Sequence, residues 1–411
     1  MPADRHLTRH VAVFSTAHAI GIIAPLITTP YLARVLGPDG WGPVLLAQGV
    51  AAFVALLPEF GFDLSGTRDL ATTTDPAAQA RIIADVRSAR WVLVPVTALL
   101  VLGIALVLPM IGANRLLLVW TFAAVIARGF SPLWIFQGIG RPEGAMLIDV
   151  VGKIGAAVAV FALVDGVEDG WRVLALQSAG AALSVSILSW QIRRRYQVPP
   201  VSVAGARRAL ARGWAIFSFR AASAVYMQAN VLIVGALASP VALVMFGGAE
   251  RITRAGINLL APITQAIFPR VARAVSDGPT ASRRALREAM WIIGTIGLTL
   301  TLVLLLGARP LIAVLLGDGY GDAVPLLRGL AALPALIAIG TVLGIHWAIP
   351  QGHERYLLRN VLVAGAISVV CAMLLIPRLE AWGMVIGATA AEAWVAGALL
   401  LRFRRQAEGA A

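Results

Sequence analysis

Apolar runs of about 20 residues recur from one end of this 411-residue chain to the other, and that is the length an α-helix needs to cross a bilayer. In hydrocarbon every backbone N–H and C=O must be satisfied within the segment, so such runs fold as transmembrane helices. The composition agrees, with 59% apolar residues, 13% charged residues and a mean hydropathy of +0.83. A soluble domain is nearer about 45–50% apolar and roughly 25% charged. The expectation is an all-α polytopic membrane protein with little chain left over for a soluble domain. Cys371 is the single cysteine, so no internal disulfide can form. Arg5 and Arg9 ahead of an apolar run resemble the start of a signal peptide. That run is long, carries Pro25 and Pro30 and has no clear small-residue cleavage site, so it is read as an uncleaved first span.

Twelve spans are expected, at about 11–34, 41–63, 91–111, 114–138, 145–165, 171–192, 213–237, 241–268, 289–308, 323–350, 356–376 and 381–402. With the N-terminus inside, 23 of the 34 cations fall in cytoplasmic segments and 5 in outer ones, a bias that places both termini in the cytoplasm. The +13 net charge is therefore assigned to cytoplasmic loops and not to a nucleic-acid partner. The two halves repeat. Val13-Phe14-Ser15 returns as Ile216-Phe217-Ser218, Pro76…Arg87…Trp91 as Pro279…Arg287…Trp291, and Leu133-Trp134…Gln137-Gly138 as His346-Trp347…Gln351-Gly352. The expected domains are a six-helix lobe over 1–192, a cytoplasmic linker over 193–212 and a second six-helix lobe over 213–411, around a central cavity. Short surface helices are expected at 75–90 and 279–290, each ending at an interfacial tryptophan, Trp91 or Trp291, with the basic 201–212 segment before Trp214 as a third.

The polar residues inside spans point to where the chemistry sits, because each ionised group at mid-bilayer costs about 2.5–3.5 kcal/mol unless it faces a wet interior. After a tight turn at Gly37-Pro38-Asp39-Gly40, the second span carries Gln48, Glu59 and Asp63 within about 60° of arc at 100° per residue. The eighth carries Gly247, Glu250, Arg251, Arg254, Asn258 and Gln265 within about 100°. In the seventh, Arg220, Ser223 and Asn230 share a face. Asp149 with Lys153, and Glu250 with Arg254, are four apart and can pair on one helix face. Arg128, Arg220, Arg251 and Arg328 have no opposite charge at such spacing. Two readings stand for them: forks that take a phosphate through two oxygens at once, or bonds to helix-end carbonyls or to another helix's carboxylate such as Glu59 or Glu392. Glu392 either couples a cation or pairs with an arginine, and His346 either relays protons or is simply packed. The sequence has no Cys/His cluster at metal spacing, no glycine-rich phosphate loop and no nucleophile elbow, so neither an enzyme nor a resident cofactor is expected.

PYLARVLGPDGWG at 30–42, GFDLSGTRDLA at 61–71 and PLWIFQGIGRPE at 132–143 resemble the polysaccharide transporter family. These are the O-antigen and repeat-unit flippases of the multidrug/oligosaccharidyl-lipid/polysaccharide exporter superfamily. The resemblance implies that a glycan repeat unit on an undecaprenyl-pyrophosphate carrier is moved across a bacterial inner membrane by alternating access, driven by an H+ or Na+ gradient. Arg128, Arg220, Arg251 and Arg254 would then grip the pyrophosphate, with Gln48, Glu59, Asn258 and Gln265 as polar groups of the cavity. Asp63, Glu250 and Glu392 are the ion-coupling candidates. Arg34, Asp63 and Arg68 stand inside the matched motifs, where their role would be to close helix ends. Besides membrane lipid, a polysaccharide polymerase and a chain-length regulator are the implied protein partners. A multidrug or cation antiporter of the same superfamily is the alternative, and it would call for an acidic cavity.

Overall fold

The computed structural model describes the backbone of residues 2–408 and the side chains from 27 to 406, less 222, 223, 225–227, 276 and 279. Arg5, Arg9, Val13-Phe14-Ser15, Pro25 and Ser223 of the sequence reading lie outside the described side chains. The protein is all-helical, with 88% of residues in helix. Nine helical stretches among the described residues are long and apolar enough to cross a membrane, from Ile27–Ala71 to Ala381–Gln406. The regions expected as spans seven and eight are not among the nine. They are built instead from Val203–Gln228, Asn230–Leu237, Pro240–Asn258 and Leu260–Ser276, and the breaks at Ala229 and Leu259 together with Arg220, Glu250, Arg251 and Arg254 keep each piece too short or too polar. The chain divides into two compact units, Met1–Ala224 and Val225–Ala411.

In the first unit, Ile27–Ala71 is the most enclosed stretch: 61% of its most apolar part is buried, against 22% for Pro142–Leu163, whose outward face is left to lipid. The turn expected at Gly37–Gly40 is a one-residue kink. Only Gly37 leaves the helical region, at φ 62°, and Pro38 opens the next helix with its φ already set. A second break falls at Phe60 and Gly61, both left-handed at φ 45° and 69°. Phe60 is held in that conformation by stacking on Phe217, with centroids 4.3 Å apart and rings 5° from parallel. The expected single polar face of Gln48, Glu59 and Asp63 is therefore corrected. The helix does not run unbroken through these three, and Gln48 turns to donate Nε2–H to Gln177 Oε1 at 3.1 Å.

Two of the family-like motifs pack on each other. A side chain at Gly66 would meet the Trp134 ring at 2.6 Å, a side chain at Gly138 would meet Leu70 at 2.7 Å, and Thr67 Oγ1 donates to the Trp134 carbonyl at 3.1 Å. The glycines are there to let Phe62–Ala71 and Leu133–Gly138 approach.

The separate surface helices are also corrected. Pro76–Val107 and Pro279–Leu306 run unbroken through Trp91 and Trp291, and even Pro95 does not end the first of them. Asp75 caps the first as expected, accepting from the N–H groups of Ala77 and Ala78. Trp91 and Trp291 are 57% and 72% exposed, and the exposed large apolar residues of both helices begin at these positions. The second unit has its own core, in which Ile293, Ala338, Val342, Trp347 and Leu399 are almost wholly buried.

Candidate functional site

Breaking the helix at Phe60–Gly61 brings Glu59 and Asp63 together on one arginine of the Val203–Gln228 helix. Arg220 Nη1 lies 2.5 Å from Asp63 Oδ1, and its Nη2 lies 3.5 Å from Glu59 Oε2. Glu59 also accepts from Arg128 Nε at 3.1 Å, so one carboxylate serves two guanidiniums from two different helices. Arg90 stands beside them, 7% exposed, donating to the Ser131 carbonyl at 3.1 Å and within electrostatic reach of both acids. Three cations thus meet two carboxylates. The Arg128 and Arg220 side chains stay 57% and 30% exposed, so the cluster is open on one side. The sequence reading set Arg128 and Arg220 apart as lacking a partner at helical spacing. In the fold both find one on another helix, the second of the two readings offered for them. Arg90 falls at the end of the stretch expected as a surface helix over 75–90, where its place next to the apolar run hides that it turns inward.

The second unit holds the other polar group. Glu250, with its side chain 8% exposed, accepts the fork of Arg254 through Nε at 3.0 Å and Nη2 at 2.8 Å, and the Nδ2–H of Asn230 at 2.9 Å. Arg251 is half-buried on the same helix. The helix breaks at Leu259, so the arc drawn from Gly247 to Gln265 does not continue as one face, and Asn258 and Gln265 are both exposed. Asn230 opens a new helix after Ala229, so it does not continue the face that carries Arg220. Glu392 is half-buried in Ala381–Glu408. His346 is 1% exposed in a π-helical stretch, Val342–Ala348, with Nε2 3.3 Å from the Thr264 carbonyl and Phe268 at its edge, which is the packed arrangement. The Asp149–Lys153 pair forms as its spacing predicts, at 2.7 Å.

One charged centre was missed. Asp85, the only acid in Pro76–Val107, accepts both Arg208 Nε at 3.0 Å and Arg208 Nη2 at 2.7 Å, and Arg212 Nη2 at 3.1 Å. Arg212 Nε also lies 3.6 Å from Asp69 Oδ2. Next to it Ser202 N–H bonds Ser88 Oγ at 3.0 Å, and Tyr196 O–H bonds Gln79 at 2.8 Å. The 196–212 stretch is therefore docked along this helix. A lone acid in a helix whose other charges are arginines was the available signal.

Residues 7–275 match the model of a family described as "Polysaccharide biosynthesis protein". A protein of Escherichia coli (strain K12) named "Putative O-antigen transporter" is 26% identical over 402 residues, covering 97% of each chain. A protein of the same name from Shigella dysenteriae is 25% identical over 384 residues, 92% of this chain and 96% of its own. Among solved structures, the lipid II flippase MurJ in an inward closed conformation superposes with a TM-score of 0.76 at 12% identity, over 96% of this chain and 87% of its own. A multidrug resistance MATE family transporter of the MOP superfamily, inward-facing, gives 0.71 at 19% identity, over 94% and 96%. At these identities the two structures establish a shared fold.

Proposed function

This chain belongs to the polysaccharide biosynthesis protein family, and on that premise we propose that it is a flippase for a polyprenyl-pyrophosphate-linked oligosaccharide repeat unit in surface polysaccharide biosynthesis. It works in the bacterial inner membrane with both termini cytoplasmic, as twelve transmembrane helices in two six-helix lobes moving by alternating access. Arg128, Arg220, Arg251 and Arg254 receive the pyrophosphate, and Gln48, Glu59, Asn258 and Gln265 meet sugar or orient the guanidiniums. Asp63, Glu250 and Glu392 are the acids through which an H+ or Na+ gradient acts, and the polymerase and chain-length regulator take the product.

The observation that carries this reading is the cationic surplus around Glu59. A carboxylate shared between Arg128 and Arg220, with Arg90 alongside, leaves guanidinium N–H groups unspent on an open side. Arginine binds phosphate through two parallel N–H···O bonds, and those bonds strengthen out of bulk water. The O-antigen transporter names of the two relatives and the lipid II flippase name of one structural neighbour support the same substrate class. A carrier of cationic drugs would need the opposite sign of surplus.

Deleting the gene is the test. The account expects loss of surface glycan and accumulation of lipid-linked repeat units on the cytoplasmic leaflet, restored by the wild-type chain. Unchanged glycan together with new sensitivity to cationic drugs would favour the antiporter.

A further inference from the structure

The Asp85 centre borders a cavity of about 640 Å³ in the first unit, lined by Arg81, Arg208, Arg212, Thr72, Thr73 and Asp69 among others. That volume is in the range of a small-ligand site, and the depression is open to the outside. Asp85 lies at the back, its side chain 9% exposed, and holds the forks of Arg208 and Arg212 in place. Each guanidinium has five N–H donors; the bonds to Asp85 use three of the ten and the Arg212 Nε–Asp69 pair engages a fourth, so six are not spent on these acids. Arg81 stands one helical turn from Asp85, exposed, and makes no ion pair among the described residues. Three guanidiniums against two carboxylates give the lining a net positive charge; Thr73 adds a hydroxyl, while that of Thr72 donates to the Asp69 carbonyl at 3.0 Å. We infer that this cavity binds a phosphate-bearing ligand, separately from the Glu59 cluster and independently of the transport reading.

The chemistry fits phosphate better than carboxylate or sugar alone. Convergent guanidiniums pair with several oxygens of one group, and Asp85 already satisfies the inner edges of two of them. Exposed ion pairs are weak, so a dianion displaces the looser Arg212–Asp69 contact at 3.6 Å without disturbing Asp85. Position along the helix allows two sources. Trp91 marks the start of the lipid-facing surface, and at 1.5 Å per residue Asp85 lies about 9 Å beyond it and Arg81 about 15 Å. The inner part of the cavity therefore sits at head-group depth and the outer part in water, so the phosphate is that of a lipid head group or of a soluble ligand.

The experiment uses the full chain in phosphatidylcholine nanodiscs, titrated with inorganic pyrophosphate, and in mixed micelles with phosphatidylglycerol, where retained lipid is counted by native mass spectrometry. Arg81→Gln is the variant, since Arg81 makes no hydrogen bond or ion pair among the described residues, and Arg141→Gln, which does not line the cavity, is the control. The inference expects binding of at least one probe, weakened about tenfold by Arg81→Gln, as loss of one charge-assisted hydrogen bond produces, and unaffected by Arg141→Gln. Loss of pyrophosphate binding assigns a soluble ligand, and loss of phosphatidylglycerol assigns a lipid head group. If neither probe binds, or Arg81→Gln binds both as the wild type does, the inference is overturned. Neither result bears on whether the chain translocates glycan.

Discussion

Replacing Arg251 and Arg254 together by alanine is expected to abolish surface-glycan display while the protein stays in the membrane at its normal level. The magnitude follows from what a phosphate would lose. Each charge-assisted hydrogen bond contributes about 1.5–3 kcal/mol, so two lost guanidiniums correspond to roughly 10²–10⁴ in transport rate. The fold makes the variant informative. Glu250 loses the Arg254 fork but keeps the Nδ2–H of Asn230 at 2.9 Å, so its burial is not left wholly uncompensated. Quantifying surface glycan on cells that carry the double variant, alongside its membrane abundance, separates a binding defect from misfolding. Glycan at the wild-type level would remove Arg251 and Arg254 from the substrate path.

The second large effect is structural. Gly61→Val is expected to lower stability by about 2–5 kcal/mol, because two costs fall on one atom. Left-handed backbone costs a residue with a Cβ about 1–2 kcal/mol, and Gly61 sits at φ 69°. Its Cβ would also lie 2.6 Å from Ile216 Cγ2 and 3.0 Å from Ile216 Cβ, and such overpacking adds about 1–3 kcal/mol. Relief requires the Val203–Gln228 helix to move off the break, which would carry Arg220 away from Asp63 and Glu59. Gly140 supplies the control. It has the same φ of 69° with nothing within 4 Å of its would-be Cβ, so Gly140→Val bears the backbone cost alone. Thermal unfolding of both variants in detergent should show the larger drop for Gly61→Val. Equal drops would mean that Ile216 yields freely and that the helix is not seated on Gly61.

What the sequence disclosed, and what it hid, divides by the range of the interaction. The apolar runs, the family motifs and the i,i+4 pairs Asp149–Lys153 and Glu250–Arg254 were legible because helical geometry fixes them locally. Glu59 as the common partner of Arg128 and Arg220 was not. Asp63 and Arg220 are 157 residues apart, and Glu59 and Arg128 are 69 apart, with only tertiary packing to join them. The breaks at Ala229 and Leu259 were hidden because both residues keep right-handed helical angles; Pro262, three residues past Leu259, was the signal available for the second. The break at Phe60–Gly61 had a glycine to mark it, yet a face drawn at 100° per residue runs straight across. Continuity of Pro76–Val107 through Trp91 was obscured by the change from polar to apolar surface, which marks the membrane boundary and not the end of the helix.

The central claim is that these guanidiniums receive a phosphorylated lipid head, and direct binding tests it. A short-chain polyprenyl pyrophosphate, the matching monophosphate and the free polyprenol are titrated against purified Arg81→Gln protein and against the same chain carrying Arg220→Lys in addition, so that the Asp85 cavity contributes equally to both. The account predicts that affinity falls from pyrophosphate to monophosphate to alcohol. It further predicts that Arg220→Lys, which keeps the charge but loses the planar fork, weakens pyrophosphate binding about tenfold and leaves the alcohol unchanged. Equal binding of all three lipids, or of the pyrophosphate to both chains, would contradict it.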